Sequence, residues 1–322
     1  MLYINANDIE KILSLKQLVD ALEKALLIMS KKQFTMPDRF HISQGDNTLL
    51  LMPCFTEKYF GTKLVSVFPE NVRKDKPVIY GNMVLNFGDT GEVAAIIDGS
   101  KLTAMRTGAV GGIGIRYLAP DKSKNLAIIG AGVQGIHQAV FACCEAEISN
   151  IFVFDFKDEH IQLLKEQVDK WHKNIVVHKS ESARHAIEKS DIVITATTSS
   201  KPVIPDDKDV LKNRTIIGIG SYKPDMREFP ESLFKLTSTI FVDTMVAKKE
   251  SGDLLTPLEN NWVKNDQIVE IADLVAGKVF VDKKTSETRL FKSVGMGLFD
   301  LIVAQTLFEK ALELNIGQKI LT

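Results

Sequence analysis

Residues Ile128-Ile129-Gly130-Ala131-Gly132-Val133-Gln134-Gly135 carry an apolar strand-like run into three glycines spaced G-x-G-x-x-G, and then into a helix-like segment. Few short patterns restrict a fold so tightly. The first glycine permits a turn too tight for a side chain, and the second lets a pyrophosphate approach the main chain. The third lets the helix pack against the strand. The helix N-terminus then offers unpaired N–H groups and the positive end of its dipole to the phosphates. Asp155 closes the next strand-like run, twenty-five residues after Gly130, where a carboxylate accepts from a ribose diol and repels a 2′-phosphate. The expected ligand is a dinucleotide held by Gly130, Ala131, Gly132, Val133, Gln134, Gly135 and Asp155, with NAD(H) favoured and NADP(H) left open.

The surroundings of this loop alternate in period. Strand-like runs at 126–129, 151–154, 175–177, 192–195, 215–219 and 240–243, most of them separated by helical spacing, predict a doubly wound, mainly parallel Rossmann sheet over residues 119–295. Ligands of such sheets sit beyond the carboxyl ends of the strands, at the switch point. Ala196 and Thr197 in the segment 195–199, and Gly218 and Gly220 in the segment 218–222, are therefore expected to border the nicotinamide half.

Upstream the reading differs. Ser14-Leu15-Lys16-Gln17 reads as a capping box, followed by Leu15, Leu18, Val19, Leu22, Leu26 and Met29 at helical spacing. β-like runs at 48–55, 61–68, 78–87 and 93–97, the last two joined through Gly88-Asp89-Thr90-Gly91, predict an antiparallel meander. A helix is expected over 100–118 although Gly108, Gly111, Gly112 and Gly114 each cost about 1 kcal/mol relative to alanine there, which points to close backbone packing. A C-terminal helix over 298–314, stopped by Gly317, is expected to return to this region. The fold class is thus α/β, with the Rossmann domain at 119–295 inserted in an α+β domain made of 1–118 and 296–322.

Composition excludes several function classes. Forty Lys and Arg against forty-one Asp and Glu give a net charge of -1, with no long block of one sign, so no nucleic-acid or anionic-membrane partner is expected. No uninterrupted apolar run of about 20 residues predicts a membrane helix. The N-terminus lacks a basic start followed by an apolar core, so no secretory signal is expected. Three cysteines without CxxC or Cys/His metal spacing fit a reducing compartment, cytoplasmic localisation and no metal site.

Several motifs in fixed order extend the reading: Met36-Pro37-Asp38-Arg39, Gly61-Thr62-Lys63, Gly81-Asn82-Met83-Val84-Leu85, Thr103-Ala104-Met105-Arg106-Thr107-Gly108-Ala109, the glycine loop, and Ser293-Val294-Gly295-Met296. In these the chain resembles the ornithine cyclodeaminase and mu-crystallin family, which includes alanine dehydrogenases and ketimine reductases. The resemblance implies that the first domain binds substrate and forms a homodimer. It also implies that Arg39, Lys63 and Arg106 converge on a substrate carboxylate and reacting nitrogen, that Arg106, Thr107 and Ser293 touch the cofactor, and that Val294 lines the substrate side. The chemistry is coherent: an arginine fork holds a carboxylate bidentately, and a neighbouring lysine exchanges a proton with nitrogen. Each cation has a plainer reading too, as a loop charge for Arg39, a snorkelling edge residue for Lys63 and a hydrated helix residue for Arg106.

The chain departs from the cyclodeaminase pattern at one position. Aligning Gly220 and Pro224 places Tyr222 where cyclodeaminases carry an aspartate implicated in proton transfer, with Asp225 three residues on. Tyrosine, with an ordinary pKa of about 10, is a poor base near neutrality. The expectation is therefore an NAD(P)H-dependent oxidoreductase acting on the C–N bond at the α-carbon of a small amino or imino acid. Examples are a cyclic imine reductase such as 1-pyrroline-2-carboxylate reductase, or an alanine dehydrogenase. Lys63 would be the proton donor, assisted by Tyr222 or Asp225. A cyclodeaminase converting ornithine to proline and ammonia, and a non-catalytic mu-crystallin-like binder, are the rival readings. Asp225, Arg227 and Glu228 read equally as loop charges paired in water.

Overall fold

The computed structural model describes residues 1–320, and the chain divides into two compact units. One holds Met1–Arg106 and the residues from Met296, and the other holds Thr107–Gly295. The division falls inside the helix Gly99–Leu118 rather than after it, so the boundary expected between 118 and 119 moves to Arg106/Thr107. The reason is packing. A Cβ at Gly108 would overlap the Phe141 ring, one at Gly111 the Gln138 amide, and one at Gly114 the Phe291 ring, all within the second unit.

The first unit contains β1 (Leu2–Ile4), β2 (Phe40–Gln44), β3 (Asn47–Phe55), β4 (Tyr59–Val67), β5 (Ile79–Phe87) and β6 (Val93–Asp98). Its sheet runs Gln318–Lys319, β1, β6, β5, β4, β3, β2. The meander from β2 to β6 is antiparallel, while β1 adds to β6 in parallel. β1 is only three residues long, and β2, exposed along its whole length, has no buried face for alternation to mark. The helix Leu15–Ser30 begins on the expected capping box, with Ser14 N donating to Gln17 Oε1 at 2.9 Å and Gln17 N to Ser14 Oγ at 3.3 Å. The C-terminal helix Gly297–Leu314 packs on β3, β4 and β5 and on the helix Leu15–Ser30. It ends at Asn315, in the left-handed region at φ 53°, not at Gly317 as expected.

The second unit contains β7 (Asn125–Ile129), β8 (Asn150–Phe154), β9 (Val176–Lys179), β10 (Ile192–Thr195), β11 (Thr215–Gly218), β12 (Ile240–Val242), β13 (Ile268–Glu270) and β14 (Arg289–Lys292). All eight are parallel, in the order β13, β12, β14, β11, β10, β7, β8, β9. The chain steps outward from β7 to β9 and then returns to β10 on the other side of β7. That reversal makes the gap between the ends of β7 and β10 the switch point. β14 escaped the sequence reading because two cations, Arg289 and Lys292, bracket its two apolar residues. All four are nevertheless buried. Among the described residues no helix is long and apolar enough to cross a membrane.

Candidate active site

At the switch point the three glycines occupy three different environments. Gly130 has φ +93°, a left-handed conformation, and a Cβ there would lie 2.8 Å from the Ala196 carbonyl oxygen. A Cβ at Gly135 would overlap the Gly130 carbonyl, so this glycine lets the helix Val133–Glu145 start against the strand end. At Gly132, by contrast, an added Cβ meets nothing within 4 Å. The open side of the turn is thus at Gly132, the N-cap, beside an exposed Val133. Gln134 Oε1 at this helix start is buried without a protein partner among the described residues. A glycine cradle and a helix N-terminus without a side-chain cap suit a pyrophosphate.

Asp155 follows β8. Its Oδ2 accepts from Ala131 N at 2.7 Å and its Oδ1 from Lys157 N at 2.8 Å, while His160 Nδ1 lies 3.2 Å from Oδ1. Burial would raise its pKa, but these hydrogen bonds and His160 prevail and hold it below the usual carboxylate range. Asp155 is therefore an ionised acceptor anchored to the glycine loop itself, a tie not expected from sequence. Replacing Asp155 with serine should change the NADH to NADPH preference ratio by about tenfold or more toward NADPH, since like-charge repulsion of a 2′-phosphate disappears. Kd values for both cofactors check this, and an unchanged ratio rules out the ribose contact.

The segments expected to border the nicotinamide half differ in exposure. Tyr222 is 44% exposed, with Lys223 Nζ 5.9 Å from its ring centroid, and Asp225 is exposed as well. Ser221 points inward, donating to the Met226 carbonyl at 2.7 Å and pairing with Ser251 at 2.8 Å. Glu228 overturns the reading of this loop as charges paired in water, because it is fully buried. Arg227 lies over the Trp262 ring at 5.0 Å. Ser293 Oγ donates to Asp243 Oδ2 at 2.6 Å, and the backbone N–H groups of Val294 and Gly295 donate to the same oxygen at 3.0 and 2.6 Å. Thr107 is buried, its carbonyl accepting from Gln138 Nε2 at 2.7 Å.

In the first unit the structure brings together two predicted cations through a residue the sequence reading missed. Lys63, in β4, points its ammonium at Asp300 Oδ2, 2.8 Å away, and Arg106 Nε donates to Asp300 Oδ1 at 2.9 Å. Asp300 sits in the first turn of the C-terminal helix and is fully buried, as Lys63 is nearly so. Burial alone would raise the Asp300 pKa, yet Arg106 and Lys63 hold it below the ordinary range, so it is a carboxylate. Lys63 is pushed down to about 8, first by burial and then by the Arg106 and Arg39 charges, which together outweigh Asp300. Arg39 is the smallest of these causes, and the cluster itself is made of Lys63, Asp300 and Arg106. Because Arg106 engages Asp300 through Nε, its two terminal nitrogens keep the fork geometry that matches a carboxylate.

A parallel sheet with a glycine turn at its switch point, joined in one chain to a second α/β unit carrying a buried Lys–Asp–Arg cluster, places the protein among the Rossmann-type α/β proteins. The family is equally plain. The chain belongs to the ornithine cyclodeaminase/mu-crystallin family, whose model matches residues 2–315. It is 32% identical to a Delta(1)-pyrroline-2-carboxylate reductase of Bacillus cereus, over 99% of both chains. Among solved structures, the Thermococcus litoralis Delta(1)-pyrroline-2-carboxylate reductase in complex with NADH and L-proline superposes with a TM-score of 0.91. The two are 32% identical over 99% of this chain and 100% of that one. An archaeal alanine dehydrogenase dimer with bound NAD gives 0.90 at 26% identity, covering 99% and 98%.

Proposed function

We propose that the protein is an NAD(P)H-dependent reductase of a small cyclic imino acid, with Δ1-pyrroline-2-carboxylate as the leading substrate and proline as its product. The observation that carries this reading is the Lys63–Asp300–Arg106 cluster: a buried lysine made a stronger acid than usual, beside a guanidinium fork. Support comes from the full-length likeness to a reductase whose structure holds NADH and L-proline. When bound at the Gly130–Gly135 turn, the reduced dinucleotide supplies the hydride. Arg106 and Arg39 hold the substrate carboxylate, and Lys63 delivers a proton to the ring nitrogen as the α-carbon is reduced. Tyr222 or Asp225, both exposed on the loop after β11, assists, and Ser293 and Val294 take the cofactor and substrate side respectively.

Lysine as proton donor fixes the sign of the pH dependence. The ammonium form is the competent one, so kcat/KM for imine reduction should fall as pH rises through about 8. Amine oxidation, which needs the neutral form, should rise through the same range. A pH profile that is flat from 7 to 9 in both directions contradicts the assignment. The reading as a whole is tested by NADH oxidation across cyclic imine carboxylates and across pyruvate with ammonia, monitored at 340 nm. Turnover on pyruvate with ammonia alone would favour alanine dehydrogenase, and turnover on none of them a binding protein.

The first unit also supports a homodimer. The register aligns Ile42, Leu49, Ser66 and Tyr80 in one row across β2, β3, β4 and β5, and three of these four side chains are exposed apolar groups. Phe40, 52% exposed, lies on the same face of the edge strand. Replacing Phe40 and Ile42 together by glutamate should convert a dimer into a monomer in light scattering. A double variant that keeps the wild-type mass contradicts this interface.

A further inference from the structure

Glu228 is fully buried and accepts four hydrogen bonds, divided evenly between its two oxygens. Oε1 receives Thr197 N at 2.7 Å and Thr197 Oγ1 at 2.9 Å, and Oε2 receives Gly220 N at 2.8 Å and Thr195 Oγ1 at 2.9 Å. One carboxylate thus ties the end of β10 to the end of β11. The two segments also touch directly, because a Cβ at Gly220 would overlap the backbone of Thr197. Glu228 is fixed in turn by Asp253, whose Oδ1 accepts from Glu228 N at 2.6 Å and from Phe229 N at 3.0 Å. Asp253 Oδ2 lies 3.3 Å from the fully buried Lys292 at the end of β14, the strand that leads into Ser293 and Val294. Three buried ionisable residues, Glu228, Asp253 and Lys292, therefore link the carboxyl ends of three adjacent strands, β10, β11 and β14. Four donors satisfy the buried carboxyl group, and because two of them are backbone N–H groups of two different loops, the same bonds fix those loops to one another.

We infer that Glu228 is a positioning residue that locks the loops after β10 and β11 into one wall for the nicotinamide half of the cofactor. The inference rests on the dinucleotide reading of the preceding section. It makes a specific demand on one substitution. Each oxygen takes one backbone N–H, so the amide of Glu228→Gln, in either orientation, sets its NH2 against Thr197 N or Gly220 N. The two loops can then no longer both be held.

Isothermal titration of the full chain with NADH and with ADP-ribose, which lacks the nicotinamide end, tests this. Glu228→Gln should raise the Kd for NADH about tenfold or more, while the Kd for ADP-ribose, bound at Gly130–Gly135 and Asp155, stays within about twofold. Equal weakening of both ligands, or of neither, overturns the positioning role. If the wild-type protein binds neither ligand, the dinucleotide reading itself is wrong. Should Glu228→Gln fail to fold, the near-isosteric Thr195→Val removes one of the four donors. It should weaken NADH about two- to fivefold and leave ADP-ribose unchanged, and an unchanged NADH affinity overturns the proposal.

Discussion

Replacing Lys63 with alanine should lower kcat/KM for Δ1-pyrroline-2-carboxylate reduction by about 10³-fold, within the range that a positioned acid contributes. NADH affinity should stay within about twofold, because no part of the glycine turn changes. The expectation follows from the position of the ammonium. It is nearly inaccessible, held 2.8 Å from Asp300, and pushed down to about 8, so it loses its proton far more readily than a surface lysine. A purely structural Lys63 would behave otherwise. The variant would then lose thermal stability and keep its rate per folded molecule, which stopped-flow rates and a melting curve separate.

The second large effect is expected at Asp300. Asp300→Ala leaves the Lys63 ammonium and the Arg106 guanidinium facing each other in the interior without their shared anion. Breaking a buried ion pair this way costs about 3–5 kcal/mol of stability. Denaturant unfolding measures it, and a change below about 1 kcal/mol would mean that solvent reaches the cluster freely. Asp300→Asn is the more informative variant because it keeps the shape and removes only the charge. The carboxylate is what holds the Lys63 pKa up against burial and the two arginines. Without it, the fall in imine reduction should move to a pH below about 8, whereas a midpoint that stays put would detach Lys63 from the profile.

Much of the nucleotide unit was legible because backbone geometry dictates residue type. Gly130 needs a positive φ and Gly135 has no room for a Cβ, so the spacing of glycines carries three-dimensional information directly. The glycines of the helix Gly99–Leu118 announced close packing for the same reason, and Gln138, Phe141 and Phe291 fill the spaces that side chains would have taken. Lys63 and Arg106 were singled out by their motifs, but their partner was not. Asp300 lies in Gly297-Leu298-Phe299-Asp300-Leu301-Ile302-Val303-Ala304, and a lone acid in an otherwise apolar, fully buried helix turn must find a cation. That signal was present and unread.

Glu228 was illegible for a different reason. Arg227-Glu228 beside Asp225 has the composition of a solvated loop, and only the approach of Thr195, Thr197 and Gly220 from two other segments reveals a buried acceptor. β14 was hidden likewise, since Arg289 is held by the distant Leu118 carbonyl as well as by the nearby Asp282 and Thr285 carbonyls. Local chemistry reads out of sequence well where one segment suffices. It fails where a charge is satisfied by groups far along the chain.

The central claim is net hydride transfer to the α-carbon of an imino acid, as opposed to the closed redox cycle of a cyclodeaminase. NADH carrying deuterium at C4, incubated with the protein and Δ1-pyrroline-2-carboxylate, decides it by mass spectrometry of the product. The account predicts proline with one deuterium at Cα, formed in one-to-one ratio with NAD+, and no ammonia from ornithine. Conversion of ornithine to proline and ammonia with catalytic NAD+, and no NADH consumed with the imine, would contradict it.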